Sequence, residues 1–446
     1  METIQTLAAA LSSGATTARA LFEESLARIR DPHGEGGRTF LVVHEAQARA
    51  SADAMDHLRK AGRAPSPYAG IPISVKDLFD LAGEATPAGS VVLAGSTPAT
   101  STAPAVARLI AAGFVVMGRT NMTEFAFSGL GINPHYDTPR SPWDRATGRM
   151  PGGSSSGAAV SISDGMAAAA LGTDTGGSCR VPAAMCGIVG YKPTARRVPT
   201  TGVLPLSHSL DSVGPLANSV SCCAIIDALM AGESPAPLAP ISLAGLRIGL
   251  PANLVLDGMD HVVAETYASA LAALEAAGAR LIETAFPALD EIALANARGG
   301  LTAPEAYAWH RAIMAEQADR YDPMVRARLE RGAGVSAADY IDTLAARARI
   351  IAQMNRHTQD FDVLAMPTCP LVPQPIAALE DPAEYTRVNL LQLRNTATGN
   401  FLDRCAISLP CHVPGEAPVG LMLMGETMGD AKLFRIAAAV EAVLRG

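Results

Sequence analysis

Residues 150–180 read "MPGGSSSGAAVSISDGMAAAALGTDTGGSCR". The tripeptide Gly-Gly-Ser occurs twice, at Gly152-Gly153-Ser154 and at Gly176-Gly177-Ser178. Between them the pattern predicts a short helix from Ser155 to Asp164, stopped by Gly165, and then a small-residue strand, "AAAALGTDT". A helix of about ten residues advances ~15 Å. A strand returns that distance in about five to seven residues at ~3.3 Å each. The two glycine-flanked serines are therefore expected at the same edge of a sheet. A flexible Gly/Ser linker would instead join two units through polar surroundings, and here apolar helix and strand follow at once.

Working outward, the same alternation of elements continues. "YAGIPISVKDLFD" reads as a strand with Ile71, Ile73 and Val75 in alternation, and "APAVARLIAAG" as a helix stopped by Gly113. "FVVMGRT" and "GIVGYKPT" read as buried strands, and "SCCAIIDALMAG" as a helix. Residues 1–60 read as helices, and 290–360 as largely helical. "ESPAPLAP", at 233–240, is the best linker candidate, but similar element types lie on both sides of it. One continuous layered α/β core is expected rather than two independent domains.

Composition narrows the function. The chain has 446 residues, a net charge of -8 and no basic run, which argues against nucleic-acid and anionic-membrane partners. No apolar run reaches the roughly 18–20 residues of a membrane span. The first residues read as an acidic amphipathic helix rather than a leader. Seven cysteines, an odd number with no Cys-x-x-Cys pair, fit a reducing, cytoplasmic compartment. No metal signature is present, and no cofactor is expected.

Three chemistries compete for the serines. "GSSSG" at 153–157 matches the nucleophile elbow formally, but the "PRSPWDRATGRMP" before it is no strand. The phosphate-cradling Gly-x-x-x-x-Gly-Lys pattern is missing. The third reading uses both Gly-Gly-Ser sites. In "DTGGS", successive backbone N–H groups can point into one concavity, the geometry of an oxyanion hole or anion nest. A serine nucleophile needs a base. His208 is the nearest histidine candidate, though a loop or substrate contact suits it equally. Lys76 is one of only four lysines against 31 arginines, and it ends an apolar strand. Buried there, its pKa would fall by ~3–5 units and leave a usable neutral amine. A surface ion pair with Asp77 or Asp80 accounts for it equally well.

Five segments, "GIPISVKD", "GRTNMTEFA", "PGGSSSGAA", "LGTDTGGSCRVPAAMCGIVGYKPT" and "LDSVGP", resemble the amidase signature family, in order and from Gly70 to Pro215. "APVGLMLMG" is similar to its closing strand. The resemblance implies an α/β amidase-signature fold: a central mixed β-sheet with helices on both faces, in a single domain over 1–446. N-terminal helices would occupy 1–60, the catalytic core 70–215, and a substrate-specificity half 241–446. It implies hydrolysis of a carboxamide C–N bond through an acyl-enzyme. Ser178 would be the nucleophile, Ser154 the bridging serine in a cis Gly153–Ser154 peptide, and Lys76 the base. Backbone N–H groups of Thr175, Gly176, Gly177 and Ser178 would form the oxyanion hole. Ala126 and Phe127 would touch the acyl group. Ser155 and Ser156 would cap a helix and orient the lysine, and Asp174 and Arg180 would brace the loop. From the residues themselves, Arg394, Asn395 and Asn400 in "LLQLRNTATGNFLDR" are candidates to reach the pocket from the C-terminal half, and a solvated helix face explains them as well. Cys179, where the family often has Ile, is expected to be a small core residue. The substrate would be a small amide. The region after Gly232 looks more like stand-alone amidases than like the glutaminase subunit of the tRNA-dependent amidotransferase. A homodimer and a small partner subunit stay open.

Overall fold

The computed structural model describes residues 1–445. Eleven strands form one mixed sheet. They are β1 (Phe40–Val43), β2 (Pro72–Lys76), β3 (Val115–Thr120), β4 (Ala169–Thr173), β5 (Val189–Lys192), β6 (Val213–Ala217), β7 (Arg247–Pro251), β8 (Arg280–Thr284), β9 (Val363–Pro367), β10 (Ala406–Pro410) and β11 (Gly420–Met424). Their order across the sheet is β1-β3-β2-β4-β6-β5-β10-β11-β9-β7-β8. β3, β2 and β4 run parallel, as do β9, β7 and β8; the pairs between β4 and β9 are antiparallel. The sheet draws strands from both sides of 233–240, a segment without regular structure.

Every residue of β2, β4, β6, β9 and β11 is buried. Successive strand side chains face opposite sides, so both faces are covered, and fifteen α-helices do the covering. This explains why the central strands are continuous apolar runs rather than half-polar alternations. The helix Val220–Ala231 shows how local sequence sets its limits. Ser219 Oγ accepts from Cys222 N, and Gly232 closes the end in the left-handed conformation.

One expectation in the N-terminal segment fails. Residues 1–60 are not all helical, because "FLVV" forms the edge strand β1, antiparallel to β3. Four residues squeezed between two helices are too few for a periodic signal.

The arrangement that positions the site is the parallel pair β2/β4. Both strands point the same way, so Lys76, at the end of β2, and Thr173, at the end of β4, lie at the same sheet edge. The helix Ser156–Ser163 leads from the first Gly-Gly-Ser back to the start of β4.

Candidate active site

Lys76 is fully buried. Its Nζ donates to Ser154 Oγ at 2.7 Å and to Thr173 Oγ1 at 2.8 Å. No carboxylate pairs with it among the described residues; Asp77 instead pairs with Arg119, on the other side of the strand, at 2.7 Å. This excludes the surface ion pair. Burial pulls the Lys76 pKa down from 10.5 to about 7, against the opposing influence of the Asp174 and Asp211 carboxylates.

Ser154 follows a cis peptide bond from Gly153. The surrounding backbone is pinned by the 121–131 segment: Gly153 N donates to Gly129 O, and Thr123 N to Ser154 O. A Cβ at Gly153 would lie 2.4 Å from Gly131 N, so only glycine fits this approach.

Ser155 and Ser156 form no hydrogen bond to the lysine. Ser155 sits at the helix N-cap position without a capping hydrogen bond, and its hydroxyl donates to Thr173 O at 3.4 Å. Ser156 Oγ reaches Asn121 O at 3.5 Å. The group that orients Lys76 alongside Ser154 is Thr173, which sequence reasoning missed. Its signal was present: it ends β4 next to Lys76 at the end of β2, and it is the last strand residue before "DTGGS".

The loop after β4 carries the second Gly-Gly-Ser. Asp174 N and Cys179 N are both paired, to Ser212 O and to Asp174 Oδ2. The four amides between them, Thr175 to Ser178, donate to no group of the described residues. Such a run of free donors is rare in a folded interior. Gly177 has φ +142°, and a Cβ there would lie 2.2 Å from Thr396 Oγ1. Thr396 Oγ1 also donates to Gly176 O at 2.7 Å, which fixes the middle of the loop.

Asp174 and Arg180 form a fully buried, two-pronged ion pair, with Nη2–Oδ1 at 2.8 Å and Nε–Oδ2 at 3.0 Å. Burial alone would raise the Asp174 carboxyl, but Arg180, Lys192 and the Cys179 N–H bring it down to about 2. Asn400 completes the knot, accepting from Arg180 and donating to Asp174. Asn400 thus reaches the nucleophile loop from behind. Arg394 and Asn395 turn away, to carbonyls of Val255, Asp257 and Pro367. Cys179 is fully buried, with its thiol pushed far up by desolvation. His208 is exposed and forms no hydrogen bond to either serine among the described residues.

Two cavities meet at this loop. An apolar one of about 270 Å³ contains Ser178, Thr175 and Gly176, and is walled by Ala126, Phe127, Leu393 and Phe401. Arg328 is the one charged residue lining it. A polar cavity of about 750 Å³ borders Thr173, Thr175, Asp211 and Arg347. Asp211, in the "LDSVGP" segment, accepts from Thr175 Oγ1 at 2.5 Å. Burial, opposed by its hydrogen bonds to Thr175, Ser207 and Leu206, pushes its pKa up to about 6.

The Amidase family profile matches residues 20–434. The chain belongs to the Amidase family. It is a hydrolase acting on amide C–N bonds. It is 40% identical over 408 residues to a 2-amino-5-chloromuconic acid deaminase of Comamonas testosteroni, covering 90% of this chain and 87% of the relative. It is 36% identical over 477 residues to a glutamyl-tRNA(Gln) amidotransferase subunit from Chloroflexus aggregans, covering 99% and 96%. The crystal structure of an amidase superposes with a TM-score of 0.89 at 31% identity, covering 99% of both chains. The peptide amidase of Stenotrophomonas maltophilia gives 0.84 at 28%, covering 100% and 97%. This amidase therefore shares its sheet with its relatives over the whole length, including the half beyond residue 240. Among the described residues no helix is long and apolar enough to cross a membrane.

Proposed function

We propose that this amidase acts through a Ser178–Ser154–Lys76 relay, in one domain whose residues 241–445 complete the pocket. Neutral Lys76 takes the proton of Ser154 as Ser154 takes that of Ser178. Ser178 Oγ attacks the amide carbon, and the carbonyl oxygen becomes an oxyanion facing the free amides of Thr175, Gly176, Gly177 and Ser178. The C–N bond breaks as the relay returns its proton to the departing nitrogen. Water, deprotonated by the same relay, then cleaves the acyl–Ser178 ester. The observation that carries this reading is the buried, uncompensated Lys76 bonded to Ser154 at 2.7 Å, beside a loop with four unpaired N–H groups. Ser178 and Ser154 do not hydrogen-bond to each other in this structure; that contact closes when substrate fills the cavity.

The acyl half is a short apolar chain ending in a carboxylate. A small apolar cavity with Arg328 as its single charge supports this, as does the dicarboxylic acid named for the Comamonas relative. The cavity has no carboxylate to pair with an ammonium group, so an amino-acid amide such as glutamine suits it poorly. This favours a stand-alone hydrolase over an amidotransferase subunit. The departing nitrogen leaves as ammonia or a small amine. A cytoplasmic setting belongs to the same reading, supported by seven free cysteines.

The test is labelling by a fluorophosphonate together with ammonia release from a panel of monoamides, using the purified chain alone. Labelling and turnover are expected in the parent and absent in Ser178→Ala. Turnover surviving in Ser178→Ala rejects the nucleophile. Turnover that appears only with a partner subunit favours the amidotransferase-type reading.

A further inference from the structure

The four free amides, Thr175 to Ser178, lie in a loop whose neighbouring polar groups are held by hydrogen bonds. The loop is anchored along its length. At its far end the Asp174 carboxylate holds Cys179 N, and in the middle Thr396 Oγ1 holds Gly176 O. At the near end Ser212 Oγ and Asn400 Nδ2 hold the carbonyl of Asp174, and the one side chain of the four-residue run that is itself tied down is Thr175, whose Oγ1 donates to Asp211 Oδ1 at 2.5 Å.

Asp211 is itself fixed. Its Oδ2 accepts from Leu206 N and Ser207 N, both at 3.0 Å. The segment that carries it is tied to the helix Thr302–Gln317 through Glu305. That carboxylate accepts from Ser207 Oγ and Ser209 Oγ at 2.6 Å, from Ser209 N at 3.0 Å and from Tyr340 Oη at 2.8 Å. Neither Asp211 nor Glu305 forms an ion pair among the described residues. Both act as multiple acceptors, a task that two carboxylate oxygens perform and a single hydroxyl does not. Leu206 of this segment borders both cavities.

We propose that Asp211 is a positioning residue: through Thr175 it aims the oxyanion loop without touching the substrate. The proposal rests on the relay and oxyanion reading above. Losing a whole oxyanion donor costs about 10²–10³ in rate. Losing the Thr175–Asp211 bond leaves the Asp174 carbonyl held by Ser212 and Asn400 and misaims a donor rather than removing it, so a loss of roughly tenfold is expected.

The decisive variant is Thr175→Val, which deletes the hydroxyl and keeps the shape. Its second-order labelling rate with a fluorophosphonate, whose phosphonyl oxygen occupies the oxyanion site, is expected to fall about tenfold. For any monoamide the parent turns over, kcat falls in parallel while KM and Tm hold. Asp211→Ala shows the same loss, and the double variant Thr175→Val/Asp211→Ala is no slower than Asp211→Ala alone. A Thr175→Val enzyme that labels at the parental rate overturns the proposal, as does a double variant whose losses multiply. If Asp211→Ala does not fold, Thr175→Val decides alone. Ser178→Ala keeps the two readings separate. Labelling that persists there removes the nucleophile itself, whereas labelling lost there and undiminished in Thr175→Val removes only the role of Asp211.

Discussion

Lys76 Nζ stands 2.7 Å from Ser154 Oγ, in a pocket where hydroxyls are its only hydrogen-bonding partners among the described residues. A lysine with no countercharge is poorly stabilised as an ammonium, which suits it to the role of base proposed above. Replacing Lys76 with Met keeps the volume and removes the amine. Activity is expected to fall by about 10²–10⁴, the usual share of general-base catalysis. Thermal unfolding should show a Tm no lower than the parent's at pH 7. A Met variant with parental turnover would remove Lys76 from the mechanism.

The same residue sets the pH dependence. With its pKa lowered to about 7, Lys76 is neutral above that value and charged below it, and the proposed relay needs the neutral form. The kcat/KM profile should be flat above about pH 7 and fall tenfold per unit below. The stability effect has the matching sign. The unfolded lysine titrates near 10.5, so between pH 7 and 10.5 the unfolded state binds the extra proton. The Lys76 contribution to stability therefore rises with pH across that window, and the Met variant should lose that part of the slope in denaturant titrations.

Much of this site is legible in the sequence, and the reason is local. The two Gly-Gly-Ser triplets stand at the ends of short elements whose lengths fix where they return, so strand and helix arithmetic places them at one sheet edge; Lys76 joins them through the family resemblance, since its position at a strand end suited a surface ion pair equally well. The illegible parts depend on contacts between distant segments. Thr396 sits in a long helix, Pro382–Phe401, whose sequence does not mark which face meets the nucleophile loop: of the three helix residues expected at the pocket, Asn400 reaches that loop while Arg394 and Asn395 turn away. Arg328 lies in "VRARLER", where arginines on every side give it no contrast. Asp211 lies in a segment noticed as a whole, but its bond to Thr175 spans 36 positions. Strand β1 is missed because four residues carry no period.

Gly177 tests the loop's backbone. Its φ of +142° is closed to other residues, and an added Cβ would meet Thr396 at 2.2 Å. Gly177→Ala is expected to cost about 1–3 kcal/mol in strain and to reduce labelling of Ser178 by at least tenfold. Gly62, also at positive φ but with open space around its Cβ position, is the control. Gly62→Ala should lose some stability and no activity. Equal activity in the two variants would show that the loop tolerates the shift.

Asp174 and Arg180 hold the loop from the inside, so cutting the pair should act on folding before chemistry. Breaking a buried ion pair by removing one partner costs about 3–5 kcal/mol, because the other charge stays buried and unpaired. Arg180→Met leaves Asp174 with Asn400 and the backbone N–H groups of residues 179 and 180, and should lower the unfolding free energy by that amount, read as a lower denaturation midpoint. Arg180→Lys keeps the charge but offers one point contact where the guanidinium makes several. It should fall between parent and Met in both midpoint and kcat. A Met variant as stable as the parent would contradict the bracing role.

On the proposed function, Arg328 selects the acyl group. Its guanidinium lies 5.0 Å from the Tyr385 ring centroid and donates to the carbonyls of Phe127 and Met324, with no carboxylate paired to it among the described residues. It therefore brings an uncompensated positive charge to the chamber that holds Ser178. A substrate carboxylate would supply the missing partner, and a charged hydrogen bond of this kind contributes ~1.5–3 kcal/mol. The parent should favour the monoamide of a four- or five-carbon dicarboxylic acid over the neutral amide of equal length by roughly tenfold to a hundredfold in kcat/KM. Arg328→Met keeps the stem against Tyr385 and removes the charge. It should collapse that ratio toward one by raising KM for the acid alone. A ratio unchanged in the variant would mean that the carboxylate, if the substrate has one, is held elsewhere.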